Sequence, residues 1–364
     1  MGKMNRAAEK PKQWEIVMIG FLVILLAVLI WNNVRSGMTA QIYLYGESHS
    51  QQYILDQELE LWADYYAKGM RDLFVEFPYS DAQFLNLWME ADDDELLDLQ
   101  FQDWAGTLGG TESMKNFLKQ IKENYPETVF HGTDVGHTWK STGQRYLAYL
   151  EANGQKGSAE YQRVQENIEQ GQKYQTMGET DEKAADTYRE SKLVENFKRS
   201  YRELEDAYKT DIMGIYGAAH IVASDYMPNN YMADQLRDSY GSRIHTKDLT
   251  DGNDLIVEPI STETMTIEGK AYTASYFGKE ELAGAGGYKS RRFWRLENAY
   301  EDFKNLPTSS REVLSASEYP MAIEVGQVFV VEYLRTDDTT ETRYYRADGS
   351  EQNGQLITAR FRVK

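Results

Sequence analysis

Two short segments, Tyr45-Gly46-Glu47-Ser48-His49 and Tyr216-Gly217-Ala218-Ala219-His220, repeat one pattern: an apolar run, a glycine, and a histidine three residues past the glycine. The runs that lead into them, Gln41 to Tyr45 and Asp211 to Tyr216, have the length and branching of buried strands. Between them, Leu55, Leu59, Trp62 and Tyr66 mark one face of a helix that Gly69 ends. A second apolar run, Leu73 to Phe77, is closed by Pro78, which stops ladder pairing. Strand, helix and strand in this order form a β-α-β unit, and such units give parallel sheets. In an open parallel sheet the strands' carboxyl ends gather ligands. Both histidines fall at that edge.

A third strand runs from Thr128 to His131 into Gly132-Thr133-Asp134-Val135-Gly136-His137. Asp81 to Leu99 and Met114 to Asn124 read as helical. Residues 155–181 are rich in Gln, Glu and Lys and read as a solvated hairpin or lid. Glu182 to Tyr208 reads as a long helix, with Val194, Phe197, Tyr201, Leu204 and Tyr208 on one side. Beyond residue 225 the chain turns to alternating runs, Val325 to Leu334, Glu341 to Tyr345 and Leu356 to Val363, with turn chemistry at Arg346-Ala347-Asp348-Gly349. The expected class is therefore α/β. A mostly parallel sheet of two similar β-α halves spans 41–225, with a helical insertion at about 140–210, and a β-rich C-terminal subdomain spans 226–364.

Ile16 to Trp31 is apolar, and with Trp14 it approaches the roughly 20 residues that cross a bilayer. Lys3, Arg6, Lys10 and Lys12 precede it, which predicts a cytoplasmic tail over 1–13, a transmembrane signal anchor over 14–32 and an extracellular main domain. A cleaved signal peptide is the rival reading, but the flank Asn32-Asn33-Val34-Arg35 lacks small residues placed for cleavage. Of 39 basic and 58 acidic residues, all but five and two lie beyond Ala40, so that part carries a formal charge of −22. Such a surface repels nucleic acid and anionic lipid headgroups. The chain has no cysteine, which excludes disulfides, thioether-bound haem and Cys-ligated zinc.

Glu76 lies inside an otherwise apolar strand, and burying it without a partner would cost several kcal/mol. Arg71 is one partner within reach in sequence. Glu76, Asp134, His137 and the two Gly-x-x-His histidines thus reach one rim. The order YGESH, strand-end Glu76, the pair Arg189-Glu190, then YGAAH resembles the erythromycin esterase, ChaN and TIKI/TraB superfamily over residues 41–225. That resemblance implies a two-halved β-α core and an activity among esterases, metal-dependent proteases and haem-binding proteins. It places His49, Glu76, Arg189 and His220 in the pocket, with Glu47 at the acidic position of the esterase branch. Leu193 stands where relatives often have methionine, and Asn196 follows on the same helical face as Arg189.

Two mechanisms remain open from these residues. Without metal, His49 activates water, Glu76 or Glu47 orients it, Arg189 steadies the oxyanion, and His220 is acid or second orienter. With metal, His49, His220 and Glu76 form a two-histidine, one-carboxylate set for Mn, Zn, Co or Fe. Asp134, His137 and Asn196 are candidate substrate contacts. Arg291 to Arg295 would either bind a substrate carboxylate or balance acidic neighbours. The expected function is a membrane-anchored hydrolase of an ester or amide bond in a small molecule or peptide. The alternatives are a metal- or haem-binding module, with Tyr45, Tyr216 or a histidine as axial ligand, and a non-catalytic envelope scaffold.

Overall fold

The computed structural model describes residues 40–49, 51–207, 211–223, 229–250, 255–256, 258–352 and 354–363. The cytoplasmic tail and membrane anchor expected at 1–32 lie outside the described residues. Among the described residues, no helix is long and apolar enough to cross a membrane.

The chain is mixed α/β, with a parallel sheet and a separate antiparallel one. The parallel sheet holds β1 (Ile42–Glu47), β2 (Asp72–Pro78), β3 (Val129–Asp134), β4 (Ile212–Gly217) and β5 (Ile244–Asp248), in the order β3-β2-β4-β1-β5. The fifth strand, which carries His245, places residues 244–248 with the α/β unit rather than with the β-rich part. Its alternation is short and polar, so it gives little strand signal in sequence.

Both faces of this sheet are buried, as parallel sheets require. Tyr45, Leu73, Val75, Met213 and Ile215 face helices α1 (Gln52–Ala67) and α4 (Glu112–Asn124). Ile42, Leu44, Phe74, Ile212 and Tyr216 face α7 (Glu182–Ala207) and α9 (Met232–Tyr240). The helical reading of Asp81 to Leu99 resolves into α2 (Tyr79–Glu90) and α3 (Glu95–Asp103), separated by an acidic bend. The segment read as a solvated hairpin or lid is instead the helix α6 (Ala159–Gly178), which follows α5 (Thr142–Ala152). Tyr161, Val164 and Ile168 recur at i, i+3 and i+7 and bury one narrow stripe against Tyr146 and Leu150. Three apolar residues among many polar ones suffice for docking, although they barely register in composition. The short helix α8 (Ala218–Ile221) carries His220 directly off β4.

The antiparallel sheet runs β12 (Glu351–Gln352), β13 (Gln355–Phe361), β11 (Thr340–Arg346), β10 (Val328–Arg335), β8 (Tyr288–Leu296), β7 (Lys270–Glu281) and β6 (Ser261–Ile267), with β9 (Thr308–Ser315) paired to β13. On β10, Val328 and Val330 enter one apolar cluster and Phe329 and Val331 another, so this strand is covered on both sides. Gln51, just past the His49 loop, forms an isolated bridge with Glu280 on β7. That contact joins the β-rich part to the loop between β1 and α1.

Candidate active site

The register of β1 on β4 sets Gly46 beside Tyr216 and Glu47 beside Gly217. Both Gly-x-x-His segments therefore leave the sheet side by side at its carboxyl edge. A Cβ on Gly46 would stand 3.0 Å from the Ala218 Cα, so the adjoining exit would have to give by a few tenths of an ångström. Close approach of the two exits favours glycine there.

Alternation on β2 turns Glu76 to the same side as Phe74, toward α7, where Arg189 waits. Arg189 Nη2 lies 2.5 Å from Glu76 Oε1 and 2.5 Å from Asp134 Oδ2, while its Nε donates to Asp134 at 3.0 Å. Glu76 Oε2 accepts the Gly217 backbone N–H at 2.5 Å. Arg71, the other partner considered for Glu76, instead pairs with Glu127 at 2.8 Å. Burial would raise the Glu76 carboxyl, but His220 and Arg189 outweigh it and hold the group well below the carboxylate range. Asp134 is lowered in the same way, burial being overcome by Arg189 and His137.

Each histidine of the repeat is held at Nδ1 by its own buried glutamate, His49 by Glu47 and His220 by Glu190. Each directs Nε2 toward Glu76 Oε1, His220 at 3.2 Å and His49 at 3.8 Å, the latter beyond hydrogen-bond reach. His49 is raised to about 9, chiefly by the charge of Glu47, with burial opposing. For His220, burial pulls downward, yet Glu76 and the bond to Glu190 carry it up to about 10.

These groups border a cavity of about 360 Å³, within the range of small-molecule sites. Glu47, His49, Glu76, Asp134, His137 and Arg189 line it. His137 reaches Asp134 at 2.9 Å. His220 lies one layer deeper, behind Glu76. Asn196, a candidate substrate contact, serves the scaffold: its Nδ2 donates to the Thr133 carbonyl and to Gln170. His131 likewise points away, bonded to Asp72 at 2.8 Å and stacked on Phe74.

Two buried carboxyls at or beside the cavity escape a reading by motif. Glu190 was visible only as the second half of the Arg-Glu pair. Glu58 interrupts the apolar face of α1 and lines the cavity wall while only 1% exposed, and burial followed by the charge of Glu47 raises it well above the carboxylate range. An acidic residue on a helix's apolar stripe was the signal.

The metal set His49, His220 and Glu76 does not fit this arrangement. Glu76 already takes Arg189 on one oxygen and Gly217 on the other, and a guanidinium occupies the place of a second cation. Among the described residues no three His, Cys, Asp or Glu side chains are gathered as a metal would need. The tyrosines considered for haem are also engaged, Tyr45 with the Tyr65 hydroxyl at 2.8 Å and Tyr216 with Thr133 at 2.9 Å.

The basic cluster on β8 does not form a free carboxylate site. Arg291 is buried against Glu280, while Arg292 pairs with Glu332 and Arg295 with Glu297. Since Gln51 Nε2 also reaches Glu280 at 3.5 Å, Arg291 instead braces the His49 loop from the β-rich side.

No family model matches this chain, and no curated protein does. Among solved structures it is similar to a protein from Bacillus cereus, at 14% identity over 70% of this chain and 76% of that one, with a TM-score of 0.42. It is also similar to a succinoglycan biosynthesis protein, at 13% identity over 71% and 77% of the two chains, with a TM-score of 0.39.

Proposed function

We propose that this chain is a hydrolase of an ester or amide bond that activates water with His49. The observation that carries the reading is the state of His49. Its ring is 38% exposed at the cavity, its Nδ1 is fixed by Glu47, which is 6% exposed, and its Nε2 makes no close bond to Glu76. A histidine oriented at one nitrogen and open at the other is the arrangement a general base needs.

In this reading His49 Nδ1–H keeps its hydrogen bond to Glu47 while the Nε2 lone pair takes a proton from water and the water oxygen attacks the carbonyl carbon, pushing the C=O π pair onto oxygen. As that pair returns, the ester C–O or amide C–N bond breaks and His49 Nε2–H gives its proton to the departing alkoxide or amine. Arg189, fixed by two carboxylates, faces the oxygen where negative charge develops. Glu76 does not leave its partners: it positions Arg189, and His220 with Glu190 positions Glu76. No serine replaces water, because Ser48 carries no Gly-x-Ser-x-Gly elbow.

Membership of the erythromycin esterase, ChaN and TIKI/TraB superfamily, the two similar halves, the anchor at 14–32 and an extracytoplasmic site belong to the same proposal. An ester and peptide panel, with and without added Mn or Zn, tests it. His49→Ala should abolish turnover in a chain that still unfolds cooperatively, at a lowered thermal midpoint because Glu47 loses its partner. Turnover that survives His49→Ala, or that appears only with added metal, overturns the mechanism.

A further inference from the structure

The polar residues that face the cavity stand at one side; the remaining wall is apolar. Phe77 comes from β2, Ile215 from β4, Met114 and Phe117 from α4, and Trp104 and Leu108 from the connection between α3 and α4. Trp104, Thr107 and Thr138 on that wall make their side-chain hydrogen bonds within the protein. Trp104 Nε1 donates to Asp81 at 2.7 Å and Thr138 Oγ1 donates to it at 2.5 Å, while Thr107 Oγ1 donates to the Trp104 carbonyl at 2.7 Å. Glu58, on the same wall, is 1% exposed, and burial pushes its carboxyl well above the usual range. A polar ligand entering here would lose its water and find few partners, Glu58 Oε1 being one, which disfavours it.

We infer that the substrate is an amphiphile whose scissile bond lies at His49 and Arg189 and whose apolar tail fills the space bounded by Trp104, Leu108, Met114 and Phe117. The bond rests on the hydrolase reading; the tail rests on the cavity alone. Leu108 is 41% exposed on a glycine-flanked loop, so the tail enters past it.

The test uses the full chain with p-nitrophenyl esters from acetate to decanoate, and acetate esters of the matching linear alcohols. In one of the two series kcat/KM should rise about fourfold per added methylene until the cavity is full. Leu108→Ser should flatten that slope. Two flat series overturn the inference. If no ester is turned over at any length, calorimetry with decanol against butanol decides. Binding that tightens with length and weakens in Leu108→Ser keeps the tail site while sinking the hydrolase reading; no binding overturns the tail site as well.

Discussion

Arg189 Nη2 lies 2.5 Å from Glu76 Oε1, the same oxygen that His220 Nε2 approaches at 3.2 Å. One buried carboxylate therefore holds two cations, and a second, Asp134, shares the arginine. Arg189→Met would leave Glu76 and Asp134 buried with reduced compensation. Breaking such a pair from one side typically costs about 3–5 kcal/mol. Urea denaturation should show a loss of that size together with lost turnover. A loss below about 1 kcal/mol would mean that water already relaxes the pair.

In the proposed mechanism the charge of Glu47 sets the working range of His49. A base acts in its deprotonated form, so with His49 at about 9 the free enzyme's kcat/KM should climb about tenfold per pH unit toward a plateau above that point. Glu47→Gln removes the leading cause of the rise. Its pH limb should shift down toward the ordinary imidazole range near 6.5, and its plateau should fall because the base is weaker and less firmly oriented. A limb that stays in place in Glu47→Gln would detach His49 from the chemistry.

The strand-exit motifs and Glu76 were legible because each breaks a local pattern: a glycine where a strand must turn, or a charge within an apolar run. Burial on both sheet faces made β1, β2 and β4 equally plain. The docked face of α6 was not legible, because three apolar side chains in a polar helix leave almost no compositional trace. Nor was the engagement of Asn196, whose spacing on α7 fixes its face but not whether it meets substrate or the end of β3. The Arg291 cluster balances acidic neighbours, one of its two readings, but which neighbours was hidden for a related reason: its partner Glu280 lies across β7, and a cross-strand pair has no fixed sequence spacing.

Gly217 offers a small change with a specific reading. Its N–H donates to Glu76 Oε2, and a Cβ placed on it would stand 3.2 Å from that oxygen and 3.4 Å from the His49 Nε2. Gly217→Ala adds one methyl group between base and carboxylate. Crowding of that kind moves side chains by tenths of an ångström, and small misplacements at a reacting centre cost up to about 100-fold in rate. The variant should fold, with kcat/KM reduced at least tenfold. Activity equal to the parent would show that His49 does not work from the position seen beside Gly217.

Alkaline pH should destabilise the fold before it reaches the tyrosines. His49 and His220 are raised in the folded chain to about 9 and about 10, against about 6.5 unfolded. Their contribution is therefore fully present below about pH 6.5 and is lost as pH rises through 9 and 10. Across that window the folded state holds more protons than the unfolded one, so each histidine lowers stability by about 1.4 kcal/mol per pH unit. Glu76 and Asp134 act in the opposite direction, since their lowered carboxyls lose their contribution only as pH falls into the acid range. Thermal midpoints measured from pH 6 to 10.5 should decline steadily on the alkaline side. In His220→Gln, whose amide does not titrate, the decline should be about half as steep. An equal slope in parent and variant would place the proton uptake elsewhere and remove His220 from the charged network around Glu76.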